Sequence, residues 1–170
     1  MSAASAVSPI RVGQGGERSP AASHAHANAI ASRIRSQGSA CIRVLAGSMS
    51  PWIRSGDQVF VRRWEINQIM AGDVVLFERS EKFFVHRVLR RVRAANGESL
   101  LITKGDALDS QDEFISAAEF LGRATRIHRK NRHIDIESLG QTILGRILAR
   151  VSSFSIVLYA PIRLVARLFG

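Results

Sequence analysis

Ser48, His86 and a trio of aspartates, Asp106, Asp109 and Asp112, supply in chain order the three groups of a hydrolytic relay. A serine hydroxyl is a weak nucleophile until a neighbouring base takes its proton. Imidazole can do so near neutral pH, because its unperturbed pKa is about 6.5. A carboxylate then orients the ring and stabilises its cation. Ser48 follows Gly47 at the end of a predicted strand, where a tight turn can present the hydroxyl. His86 falls in mid-strand and shares a face with Phe84 and Val88. Spacing alone does not choose among the three aspartates. The single cysteine, Cys41, excludes an intrachain disulfide and any cysteine-based metal cluster. It reads as a small core residue on the strand before Ser48. This chemistry requires neither a metal nor an organic cofactor.

The elements that must position these groups are mostly short strands. From Ala40 onward, apolar runs or alternations cover residues 41–46, 58–63, 74–77, 83–92, 100–102, 126–129 and 133–136. Ser80-Glu81-Lys82, Asn96-Gly97 and Lys130-Asn131 mark the hairpin turns. Many short strands punctuated in this way predict a mainly β, barrel-like domain with flanking helices. Residues 1–39 read as a flexible N-terminal segment. Ala, Ser and Gly dominate it up to about residue 23, and a short amphipathic helix follows over 24–36, ended by Gly38. Residues 40–137 form the β domain. No continuous apolar stretch lies near Met1, so no secretory signal is expected.

Residues 138–170 read as a basic amphipathic helical segment. Ile143, Leu144, Ile147, Leu148 and Val151 fall at helical spacing, with Arg146 and Arg150 on the opposite face. Pro161 breaks or kinks the pattern, and Arg163 and Arg167 resume the basic face. The uncharged run from Val151 to Ile162 is shorter than the roughly 20 residues that cross a bilayer. A Leu-rich basic helix of this kind favours the membrane interface, so membrane association through residues 139–170 is expected. The whole chain of 170 residues carries 24 Lys+Arg against 14 Asp+Glu, a formal net charge of +10. Such a balance attracts polyanions. The basic run Arg126–His133 lacks the interleaved aromatics of a stacking platform, so nucleic acid is disfavoured as a partner.

Several short boxes occur in a telling order. Ala46–Pro51 is similar to a Ser-Gly-Ser-Met-x-Pro box, and Gly56-Asp57 follows. Then come Gly72–Val75, His86–Val88, Thr103–Asp106, Asp112 as the second of a paired-aspartate position, and Gly122-Arg123. Over residues 42–127 the chain resembles the type I signal peptidases, in the serine–histidine branch that includes the endoplasmic-reticulum and archaeal enzymes. The resemblance implies the signal-peptidase/repressor-protease fold, with Ser48 as nucleophile and His86 as general base. It favours Asp112 as the acidic partner and ranks Asp106 next. It places Met49 and Gly47 at the substrate cleft and gives Lys104 a supporting role. The implied substrate is an extended signal or leader peptide with small residues at the first and third positions before the cut.

Ala46 departs from the pattern. Relatives carry there a serine whose hydroxyl helps hold the oxyanion, and losing one such donor costs about 3 kcal/mol of transition-state stabilisation. Two other classes share parts of this pattern. A self-cleaving repressor-type protease uses lysine as base and carries a DNA-reading helix-turn-helix, for which one helix at 24–36 is too little. A non-catalytic basic module would bind lipid or nucleic acid.

Overall fold

Pro20 opens a helix and Gly38 ends it. The computed structural model describes residues 10–12 and 20–136, so the C-terminal segment expected over 138–170 lies outside the described residues. Helix α1 spans Pro20–Gln37. It begins four residues before the predicted start, in keeping with the preference of proline for a first helical turn. Gly38 adopts φ 74° and donates its N–H to the Ile34 carbonyl at 3.0 Å. Only glycine takes that left-handed conformation without cost. Ile30, Ala31 and Ile34 are buried on the helix face that covers the sheet. Burying each isoleucine contributes about 1.5–3 kcal/mol.

The strands are β1 (Ile10–Val12), β2 (Ser39–Val44), β3 (Gln58–Arg62), β4 (Val74–Arg79), β5 (Lys82–Arg93), β6 (Ser99–Lys104), β7 (Phe120–Arg129) and β8 (Arg132–Asp135). Hydrogen-bonded neighbours run in the order β1-β2-β3-β7-β4-β5-β6. Strand β8 continues along the edge of β7 beyond β4. All described ladders are antiparallel except β1 with β2, which is parallel. Backbone pairing with the edge of β2 orders Ile10–Val12, inside a segment whose composition predicted no structure.

The predicted barrel is corrected to an open, mainly antiparallel sheet, because among the described residues no ladder joins β1 to β6. Another segment already occupies the far edge of β6. Leu101 and Ile115 exchange backbone bonds at 2.9 Å each way, and the Asp112 N–H donates to the Thr103 carbonyl at 2.8 Å. Residues 112–115 therefore lie along the edge that closure would need.

Strand β4 faces a core on both sides, as a continuous apolar run requires. Val74 and Leu76 pack into a first cluster with Ile30, Ile34, Ile42, Val59, Val61 and Met49. Val75 and Phe77 pack into a second with Ile69, Val88, Leu101 and Ile115. The side chain of His86 lies against this second cluster.

Candidate active site

The loop that carries Ser48 leaves β2 at Val44 and returns at β3, and a buried carboxylate ties its far end down. Asp57 accepts the Arg54 N–H at 2.8 Å and binds Arg129 through both oxygens, at 2.9 and 2.6 Å. Arg129 also donates to the Trp52 carbonyl at 2.7 Å. The loop is closed at its base by Val44 N–H to Asp57 O and Gly56 N–H to Val44 O. Burial opposes ionisation of Asp57. The bonds and charges of Arg129 and Arg54 outweigh it and hold the carboxyl below its ordinary value. Stability from this group is therefore full above about pH 4 and is lost as pH falls through the depressed value. Asp57→Ala is expected to cost about 1–3 kcal/mol at neutral pH. Denaturant melts should show the gap to wild type shrinking at low pH, and an equal gap at both pH values would contradict this account.

Strand β5 sets His86 opposite Val75 of β4, with its ring against two aromatics. The Phe77 and Phe84 ring centroids lie 5.8 and 5.9 Å away, and the residue is 3% exposed. Packing thus fixes the ring plane and leaves its two nitrogens pointing at polar partners. Nε2 lies 3.2 Å from Ser48 Oγ, and Nδ1 lies 2.7 Å from Asp112 Oδ2. An ionised carboxylate only accepts, so Nδ1 carries the proton and Nε2 is free to accept from the serine. Thr103, fully buried on β6, donates its hydroxyl to the same Asp112 oxygen at 2.5 Å.

Asp112 reaches this place because residues 112–115 fold back along β6. Arg79 pins that segment and the turn that follows it. Arg79 donates to the Phe114 carbonyl and to Glu119, both at 2.7 Å. Glu119 in turn accepts the Ser116 N–H and hydroxyl. The hydrogen bond from Arg79, with that from Ser116, holds the Glu119 carboxyl below its ordinary range despite burial.

Of the aspartates singled out from sequence, the structure brings only Asp112 to His86. Asp106 turns the other way, and both its oxygens bind the buried Arg87 guanidinium, at 2.8 and 2.7 Å. Arg87 also donates to the Gly72 carbonyl at 3.0 Å, linking three of the sequence boxes. Asp109 is exposed. Met49 is packed in the first cluster at 1% exposure, and Gly47 is exposed with open space where a Cβ would stand. Lys104 is buried and has a partner of its own.

Sequence reading gave no role to Gly105 or Thr103, although both sit in a quoted box. A Cβ on Gly105 would stand 2.7 Å from the Ser48 carbonyl oxygen and 2.9 Å from Leu108. The same carbonyl accepts the Ala107 N–H at 2.8 Å. The turn after β6 therefore grips the backbone of Ser48 directly. A glycine directly after a strand was the available signal, since it marks close backbone approach. Among the described residues nothing accepts the N–H of Ser48, which leaves that donor available. The arrangement can accept a serine proton, hold the resulting imidazolium against a carboxylate, and offer a backbone donor beside the nucleophile.

A family model described as Peptidase S24-like matches residues 9–123. The chain is similar to the signal peptidase complex catalytic subunit SEC11 of Eremothecium gossypii, 41% identical over 76 residues, covering 43% of this chain and 44% of that protein. For SEC11 of Debaryomyces hansenii the figures are 36% over 96 residues, 54% and 57%. For the human signal peptidase complex catalytic subunit SEC11C they are 37% over 71 residues, 41% and 37%. The matched part thus spans 37 to 57% of the length of these curated relatives.

Proposed function

The chain belongs to the S24-like peptidase family, and on that premise we propose that it is a serine endopeptidase of the signal-peptidase type. It removes signal or leader peptides after small residues. The observation that carries this reading is the continuous contact from Ser48 Oγ through His86 to Asp112, at 3.2 and 2.7 Å. His86 Nε2 takes the Ser48 proton as Oγ attacks the scissile carbonyl. Asp112, held by Thr103, stabilises the imidazolium. His86 then gives its proton to the leaving amine, and the acyl group remains on Ser48. Water, deprotonated by the same imidazole, releases the acid and restores the serine. The Ser48 N–H serves as an oxyanion donor, and Ala46 supplies no hydroxyl beside it. The likeness to catalytic subunits of signal peptidase complexes supports a substrate acted on in trans. A histidine standing where the self-cleaving class has lysine supports the same choice.

The test is incubation of the protein with an Ala-x-Ala leader peptide, read by mass spectrometry. One cut after the second alanine is expected, and it should be lost when that alanine becomes phenylalanine. Intact peptide, or cutting indifferent to this change, would overturn the reading. Gly105→Ala carries a further expectation. Displacing the Ser48 backbone by a few tenths of an ångström or more should lower kcat/KM on the order of 100-fold. Steady-state kinetics beside the Gly97→Ser hairpin variant checks it, and a loss no larger than that of the hairpin variant would remove the clamp from the account.

Among the described residues no helix is long and apolar enough to cross a membrane. Peripheral association is proposed through residues 139–170. Deleting them should release the protein from anionic vesicles in sedimentation and spare cleavage of a soluble peptide. Unchanged sedimentation would contradict that assignment.

A further inference from the structure

On the sheet face turned away from the first core cluster, the register lines up a basic patch beside a cavity. Cys41, Phe60 and Arg126 are ladder partners across β2, β3 and β7. Ser39, Arg62 and Arg123 form the next row. Between these rows and the end of α1 lies a cavity of about 480 Å³ bordered by Arg33, Arg62 and Arg126. Among the described residues no Asp or Glu lines it. The one thiol there adds no negative charge near neutral pH, because burial pushes Cys41 up against the opposing pull of Arg33 and Arg43.

Among the described residues the guanidiniums are positioned without a carboxylate. Arg126 lies over the Phe60 ring at 5.2 Å and Arg62 over Trp64 at 5.9 Å. The Nε of Arg33 donates to Gln37 at 3.0 Å. Ring stacking orients a guanidinium and leaves its N–H edge and its charge available. Asp135, opposite Arg126 across the β7–β8 ladder, does not border the cavity. The C-terminal end of α1 brings a partial negative charge of about half a unit. Two of its last carbonyls are engaged, Ile34 O by the Gly38 N–H and Arg35 O by Arg63, and just beyond the helix Gly38 O accepts the Arg63 N–H. Three full positive charges therefore dominate the space.

We infer that this cavity binds a phosphate ester, independently of the Ser48 site. Three guanidiniums offer more N–H donors than a two-oxygen carboxylate can accept, and they match a phosphate with three or more oxygens. The volume holds the phosphate together with a glycerol-sized substituent. A free phosphate ester and a phospholipid headgroup share this chemistry.

Titration calorimetry on the full chain distinguishes the two sources. One arm uses glycerol phosphate and the other dihexanoyl phosphatidylglycerol below its micelle concentration. Tighter binding of the lipid assigns the headgroup, and equal binding assigns the ester itself; either result upholds the cavity. Arg62→Gln/Arg126→Gln is expected to weaken binding at least tenfold. Arg90→Gln/Arg91→Gln, which removes the same charge from exposed positions on β5, should change it less than twofold. Equal losses in the two double variants would reduce the effect to general electrostatics and overturn the proposal. So would a failure of both probes to bind the wild type. Thermal melts confirm that the variants fold. Peptide cleavage by Arg62→Gln/Arg126→Gln stays at the wild-type level, so failure of this site is distinct from failure of the peptidase reading.

Discussion

Ser48→Ala is expected to abolish cleavage of an Ala-x-Ala leader peptide, lowering kcat on the order of 10⁴-fold or more while thermal stability stays near that of wild type. The size follows from the role. Removing the nucleophile leaves only positioning and the backbone donor, and related serine relays lose most of their rate in this way. A 10⁴-fold loss is about 5.5 kcal/mol of barrier. Stability is spared because Ser48 holds the loop through its backbone: its carbonyl accepts Ala107 N–H, and neighbouring Gly47 and Met49 carbonyls accept the turn bonds from Ser50, Trp52 and Ile53. The alanine loses one hydroxyl contact of 3.2 Å to His86. Retained cleavage in this variant would assign the nucleophile elsewhere.

Asp112→Asn should cost on the order of 10²- to 10⁴-fold in kcat with little change in KM. Asp112 Oδ2 receives both the His86 Nδ1–H and the Thr103 hydroxyl. An asparagine that keeps its carbonyl oxygen in that place still accepts from both donors, but without the negative charge it stabilises an imidazolium far less. One that flips presents N–H to Nδ1, selects the wrong tautomer, and leaves Nε2 protonated against Ser48. Asp106→Asn makes the informative contrast. Its carboxylate closes two bonds to Arg87 and none to His86. Its expected effect is loss of stability, with kcat falling far less. Stopped or initial-rate kinetics on both variants, with denaturant melts alongside, separate the two acids. Equal loss of kcat in both would contradict the division of labour.

Much of this arrangement was legible along the chain, and the reasons it was or was not are local. The two-residue period of β5 placed His86 on the face of Phe84 and Val88, because alternation needs no knowledge of partners. Gly47 before Ser48 also marked the turn, and the boxes Gly56-Asp57 and Gly72–Val75 each carry an aspartate that accepts an N–H three residues back. The choice of acid was harder. Asp106 and Asp112 are six residues apart, and spacing favours neither. Asp112 stands beside His86 because residues 112–115 pair with β6, a contact written in the register of two separated segments. The same pairing is why the sheet stays open where short strands predicted a barrel. Gly105 was hidden for a related reason, since its lack of a side chain matters only once Ser48 is folded against it.

The central claim is that Ser48 and His86 act as one unit, with the imidazole taking the proton of the hydroxyl. A double-variant cycle on leader-peptide hydrolysis tests it most directly. Ser48→Ala, His86→Ala and the combined variant are predicted to share one residual rate, because removing either member already disables the pair. Losses that multiply in the combined variant, or substantial hydrolysis by His86→Ala alone, would show that the two residues work separately and would contradict the account.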